Sequence, residues 1–166
     1  ITVVGVTNTP PVVDNEFVIT PEDIPVSGDV SDLGDFDPDG TILITNTNPI
    51  VDPTNGVIII SSDGSYTYIP NPNYSGTDLV VVEICDSGTP LPAECVNDTI
   101  FITIDPVNDP PIGMDTVITT DENNPITTCV EPTDVDFPYG DSLVCSIGSE
   151  PTNGTVSIDD QGCTFY

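Results

Sequence analysis

The 166-residue chain contains no lysine, no arginine and no histidine, while it carries 28 aspartates and glutamates, for a formal net charge of -28. No side chain can be a cation, and this excludes whole classes of chemistry. Without histidine there is no Ser-His or Cys-His nucleophile pair and no imidazole metal ligand. Without lysine there is no Schiff base, no phosphate loop with its lysine and no Lys-to-Asn isopeptide cross-link. With neither lysine nor arginine, phosphates cannot be neutralised, which excludes nucleic acid as a partner. A glycosidase-like pair of carboxylates is formally available, but among so many acids some pair always has the spacing. The chain reads as no enzyme. Tryptophan is absent too, which argues against an aromatic sugar-binding platform. No apolar run approaches the ~20 residues of a membrane span. No leader peptide is visible, so any targeting segment is expected outside this stretch.

What the chain does have is 37% hydrophobic residues gathered in short Val/Ile-rich runs, which a disordered acidic tail would lack. The runs are TILIT at 41–45, VIII at 57–60, LVVVEI at 79–84 and TIFITI at 99–104. Each is about one strand long and is bounded by Gly, Pro, Asn or Asp. In TIFITI, Ile100, Ile102 and Ile104 alternate with Thr99, Phe101 and Thr103, the period of a β-strand. The 18 prolines and 13 glycines punctuate turns and would break helices. The expectation is an all-β fold.

Three blocks of sequence occur twice in the same order. ITVVGVTNTPPVVDNEFVITPED at 1–23 matches ITIDPVNDPPIGMDTVITTDEN at 102–123, and DFDPDG at 35–40 matches DVDFPYG at 134–140. PTNGVIIISSDGSYTY at 53–68 matches PTNGTVSIDDQGCTFY at 151–166. The repeating unit is therefore about one hundred residues, the size of one immunoglobulin-like sandwich of about seven strands. The phase predicts that residues 1–8 are the last strand of a preceding repeat plus its linker. It makes 9–107 a complete repeat and 108–166 a linker with the first part of an incomplete one, a window cut from a longer tandem array. Pro110 and Pro111, like Pro10 and Pro11, fix φ and extend the residue before them, so the linker reads as a spacer rather than a hinge.

The VNDPP linker, the acidic DFDPDG turn, PTNG before a Val-rich strand, GSYTYIPNPNYSGTD and the closing EICDSG…NDTIFITI together resemble the cadherin-like, bacterial immunoglobulin-like tandem repeats of large secreted bacterial surface adhesins. The resemblance covers essentially the whole chain. It implies tandem Greek-key β-sandwiches used as an extracellular stalk, with calcium between or within domains. By the same resemblance, junction calcium would be bound by Glu22, Asp23 and Asp86 of one repeat, by Asp105, Asn108 and Asp109 of the linker, and by Asp134 and Asp136 of the next repeat. The linker departs from the vertebrate cadherin pattern, which ends in Asn-Asp-Asn.

Calcium also has an argument from the residues alone. Asp35, Asp37 and Asp39 before Gly40 alternate carboxylates ahead of a residue that permits a sharp turn, like the first half of an EF-hand loop. The second half is missing, since Asn46 stands where the glutamate would be. The alternative for all these acids is that of solvated turn residues.

Of the five cysteines, Cys85 and Cys95 flank DSGTPLPAE between the last two strands expected for the complete repeat, so a bond there would staple a hairpin. Cys129 and Cys163 fall on expected neighbouring strands of the second repeat, a candidate pair that leaves Cys145 to find a partner elsewhere. No CxxC occurs and no histidine is available, which disfavours zinc. Disulfides imply an extracellular, oxidising setting. Asp-Ser/Thr-apolar triplets mark Thr99, Thr116 and Ser142 as candidate O-glycan acceptors. Tyr66 and Tyr68 are expected to be half-buried, each phenol bonded to backbone or water.

The leading functional reading is a stalk repeat whose partners are neighbouring repeats of its own chain and other copies in a filament. Two others remain: a module binding a glycan or protein through an exposed loop, and a subunit of a polymer completed by strand exchange.

Overall fold

The computed structural model describes residues 7–88, 90–158 and 163–165, with side chains given through Ile158 except that of Tyr139. The strand expected at residues 1–4 lies outside the described residues. The chain divides into two compact units, one ending at Val107 and the other beginning at Asn108.

The first unit is a β-sandwich. Its strands are β1 (Glu16–Pro21), β2 (Val26–Asp29), β3 (Ile44–Thr45), β4 (Gly56–Ile60), β5 (Ser65–Pro70), β6 (Gly76–Cys85) and β7 (Cys95–Asp105). One sheet has the order β1-β7-β6-β3 and the other β2-β5-β4. β1 pairs with β7 in parallel, and the remaining strand pairs are antiparallel. The all-β, immunoglobulin/cadherin-like architecture expected from the sequence is the one observed.

Alternation explains the core. Val80, Val82 and Ile84 of β6 and Ile100, Ile102 and Ile104 of β7 are buried, and they face Val30, Ile60, Tyr66 and Tyr68 from the other sheet. Each such side chain contributes roughly 1.5 to 3 kcal/mol by leaving water. The opposite phase of β7 and of its parallel neighbour β1 points out, where Phe101 and Phe17 stack with ring centroids 5.1 Å apart. The TILIT run forms only the two-residue strand β3, and Ile42 is 78% exposed. Its backbone meets β6 only where Ile44 and Thr45 pair with Cys85 and Ile84.

Tyr66 and Tyr68 are fully buried rather than half-buried, and the Tyr68 phenol bonds to a carboxylate rather than to backbone or water. Tyr68 Oη donates to Asp78 Oδ2 at 2.9 Å, and the same carboxylate accepts from the backbone N–H groups of Thr54 (3.0 Å) and Asn55 (2.8 Å). PTNG and SGTD therefore meet at one buried node. Gly56 belongs to it, because a Cβ there would stand 2.4 Å from the Tyr68 ring and 2.6 Å from the Ile69 carbonyl oxygen.

In the second unit, β8 (Thr127–Cys129), β9 (Ser157–Ile158) and β10 (Cys163–Phe165) form an antiparallel sheet of order β8-β10-β9. A single turn of 3-10 helix runs over Phe137–Tyr139. Among the described residues of this unit, no hydrophobic side chain is fully buried. No helix among the described residues is long and apolar enough to cross a membrane.

Candidate functional site

The acids expected to bind cations fall into separate groups. At one end of the first unit, Glu22 is 3% exposed and its Oε1 accepts from the Val107 N–H at 2.6 Å. Its own N–H donates to the Asp105 carbonyl at 2.8 Å. Strand β1 ends at Pro21, paired with Asp105 of β7, so the parallel pairing delivers Glu22 to the start of the linker. Asp23 sits beside it in the left-handed region, φ 60°, and its Oδ1 accepts from the Asn73 N–H at 3.0 Å.

Asp86 does not join this group, contrary to the sequence expectation. It follows the Cys85–Cys95 pair, whereas Asp105 follows the Gly76–Ile104 pair at the other end of the β6–β7 hairpin, a strand length of about 30 Å away. There Asp86 is 1% exposed. Its carboxylate accepts from Asn8 Nδ2 (2.6 Å), the Gly88 N–H (2.6 Å) and the Glu94 N–H (3.2 Å).

Asp35, Asp37 and Asp39 do not converge either. Asp37 closes its own turn, accepting from the Asp39 N–H (2.9 Å), the Thr41 N–H (2.9 Å) and the Thr41 hydroxyl. The Thr41 bond foremost, then that from Asp39, holds its carboxyl below the usual range. Asp39 accepts from the Thr9 N–H at 2.6 Å. Asp35 turns away from both, toward Glu16 and Asp98, which the sequence reading had not singled out as cation ligands. A bridge between Val12 and Phe36 pins the loop that carries it.

Among the described residues of the second unit, Asp109, Asp134 and Asp136 are linked by backbone-to-carboxylate hydrogen bonds, but their three carboxylates do not form a group with oxygens all within 4.8 Å of one another. The Asp109 N–H donates to Asp136 Oδ2 at 2.6 Å, and the Asp136 N–H to Asp134 Oδ1 at 2.9 Å. Oδ2 of Asp109 and Oδ2 of Asp134 are buried without a hydrogen-bond partner. Such oxygens, with no protein donor to satisfy them, suit a hard cation. Asn108 is exposed, its side chain donating to the Asp109 carbonyl.

The Cys85–Cys95 disulfide is formed, directly across the β6–β7 ladder. Cys129 is also disulfide-bonded, the β8–β10 register sets Cys163 opposite it, and Cys145 is a free thiol. Thr116 and Ser142 are exposed, whereas Thr99 lies within β7 beside the buried Asp98.

The strand order and the acidic loops define an immunoglobulin/cadherin-like sandwich. The bacterial Ig domain family matches residues 8–95 and again residues 108–166, and the chain belongs to that family. No curated protein matches it. Among solved structures it is similar to the first two extracellular domains of human protocadherin-24, at 16% identity and a TM-score of 0.53, covering 96% of this chain and 77% of that one. The human desmocollin-1 ectodomain matches at 18% identity and a TM-score of 0.46, over 95% of this chain and 33% of that one. A nucleoside hydrolase-related hypothetical protein from Saccharophagus degradans matches at 21% identity and a TM-score of 0.43. That match covers 58% of this chain and 26% of the other. At these scores the last two bear on neither activity nor partner.

Proposed function

We propose that the chain is a spacer segment of an extracellular bacterial adhesin or surface filament, made of tandem Ig-like repeats whose linkers are stiffened by proline and by calcium. The observation that carries this reading is that one family matches the chain twice in succession, with the proline-rich stretch DPVNDPP at the boundary of the two units. The disulfides support an oxidising, extracellular location. For calcium, the support is the pair of buried, unpartnered oxygens on Asp109 and Asp134. The chain supplies no cation to neutralise them. A calcium ion would screen their repulsion and tie the linker to the loops; no catalytic step follows from it.

The test is thermal unfolding and small-angle scattering of the full chain in calcium and in excess chelator, with Asp136→Asn as the variant. Calcium should raise the melting point and lengthen the particle, and Asp136→Asn should lose the lengthening and part of the rise in melting point. A chain indifferent to calcium in both measurements overturns the calcium-stiffened linker and favours a ligand-binding module instead.

A further inference from the structure

Within the first unit we infer a calcium site of its own, held by Glu16, Asp35 and Asp98. None of these residues belongs to the linker or to the second unit, so the site stands apart from the linker calcium proposed above.

Asp98 occupies the inward phase of β7, in line with Ile100, Ile102 and Ile104, and is 0% exposed. Its Oδ1 accepts from the Thr99 N–H at 2.6 Å, and its Oδ2 is buried with no hydrogen-bond partner. Glu16 is in phase with Val18 and Thr20 on β1, and the parallel register sets it opposite Ile100, two residues along from Asp98. Its Oε2 is likewise buried and unpartnered. Asp35 spends Oδ1 on the Asp14 N–H at 3.0 Å, which leaves its own buried Oδ2 unpartnered. One carboxylate oxygen from each of the three residues lies within 4.8 Å of the others.

Carboxylates from three different segments thus converge, each with one buried oxygen that no donor satisfies, and one of them on a wholly buried side chain. Calcium binds oxygen at 2.3–2.6 Å, so two ligands on opposite sides of one ion stand about 5 Å apart. The three oxygens lie within that span of one another. Asp14 and Asp32 form an adjoining group around the same Asp35, and with water they supply further oxygens for the six to eight that calcium takes.

Burial, then the neighbouring Asp98 and Asp35, push the carboxyl of Glu16 up to about 9. Burial likewise pushes Asp35 up to about 6. The cluster is short of positive charge, and no residue of the chain can provide it. Its competitor is a proton shared by Glu16 and Asp98. The site belongs to the first repeat alone, because aligning Pro10-Pro11 with Pro110-Pro111 sets Thr116 in the place of Glu16.

Terbium, a luminescent stand-in for calcium, tests the site on the full chain. The chain has no tryptophan, so sensitised emission must come through tyrosine, and the buried Tyr66 phenol is close enough to Glu16 and Asp98 to feel their charges. The expected result is terbium emission that calcium displaces and that Tyr66→Phe reduces without loss of affinity. Glu16→Gln and Asp98→Asn should weaken binding at this site at least tenfold, while Asp136→Asn leaves the Tyr66-dependent signal in place. Both amide variants keep shape and remove charge, so in chelator they should melt no lower than the parent. Asp35→Asn, on a partly exposed loop, is a further variant should either fail to fold. Unchanged terbium affinity in the amide variants, or the absence of any Tyr66-dependent emission, overturns the site and assigns the cluster to a shared proton.

Discussion

Tyr68 Oη and Asp78 Oδ2 lie 2.9 Å apart in the interior of the first unit, and the same carboxylate caps the backbone of Thr54 and Asn55. One side chain of β6 thereby joins β5 to the loop that leads into β4. Asp78→Ala would leave the phenol and two N–H groups without their acceptor. It should cost about 3 kcal/mol or more, against about 1 to 2 kcal/mol for Tyr68→Phe. Urea unfolding of the full chain, followed through the first unit, measures both. Equal costs for the two variants would show that the backbone donors find water.

Gly56→Ala tests the packing at the same node. The new Cβ would meet the ring of Tyr68 and the Ile69 carbonyl, neither of which is a flexible tip. The expected loss is about 1 to 3 kcal/mol, the range for overpacking, and it should shrink in a Tyr68→Leu background. A neutral Gly56→Ala would mean that β4 shifts to make room.

Stability in calcium-free buffer should fall as pH rises. Glu16 titrates near 4.5 in an unfolded chain and at about 9 in the fold, and Asp35 moves from 3.8 to about 6, burial being the first cause of each. The folded state holds these protons more tightly. Their contribution is therefore complete below pH 4 to 4.5 and drains away as pH climbs through about 6 and then about 9. Melting points in chelator between pH 5 and 9 should decline, and Glu16→Gln should flatten the upper part of the curve. A profile rising over that window would contradict the raised values.

Reducing Cys85–Cys95, or replacing both residues by serine, releases a loop with a sequence separation of 10. Chain-entropy arguments put the loss at roughly 2 to 3 kcal/mol. The double serine variant measured by denaturant unfolding should show it, with the β6–β7 ladder otherwise intact. A far larger loss would imply that the ladder depends on the bond to form.

The parts of the fold that depend on short-range pattern were legible in the sequence. Ile100, Ile102 and Ile104 announce a strand with one buried face, and the doubled blocks announce a repeated unit. Asp86 was misplaced because nothing local says which end of a hairpin an acid will reach; that is decided by the register across the whole of β6 and β7. Glu16 and Asp98 went unnoticed because they are far apart in sequence and an acid in a strand ordinarily faces water. A signal was nevertheless available. Asp98 shares the phase of the three buried isoleucines, and an acid in the core phase of a strand has to be neutralised by something.

The parallel pairing of β1 with β7 runs from Glu16–Ile100 to Pro21–Asp105. The chain enters the upstream end of β1 and leaves from the downstream end of β7. Traction on the two termini of the unit would therefore drag these strands in opposite directions along their length. The whole row of hydrogen bonds would be loaded in shear, where an antiparallel pair would be peeled open one bond at a time. Once that row gives way, residues 86–94, locked behind Cys85–Cys95, would still add nothing to the extended length.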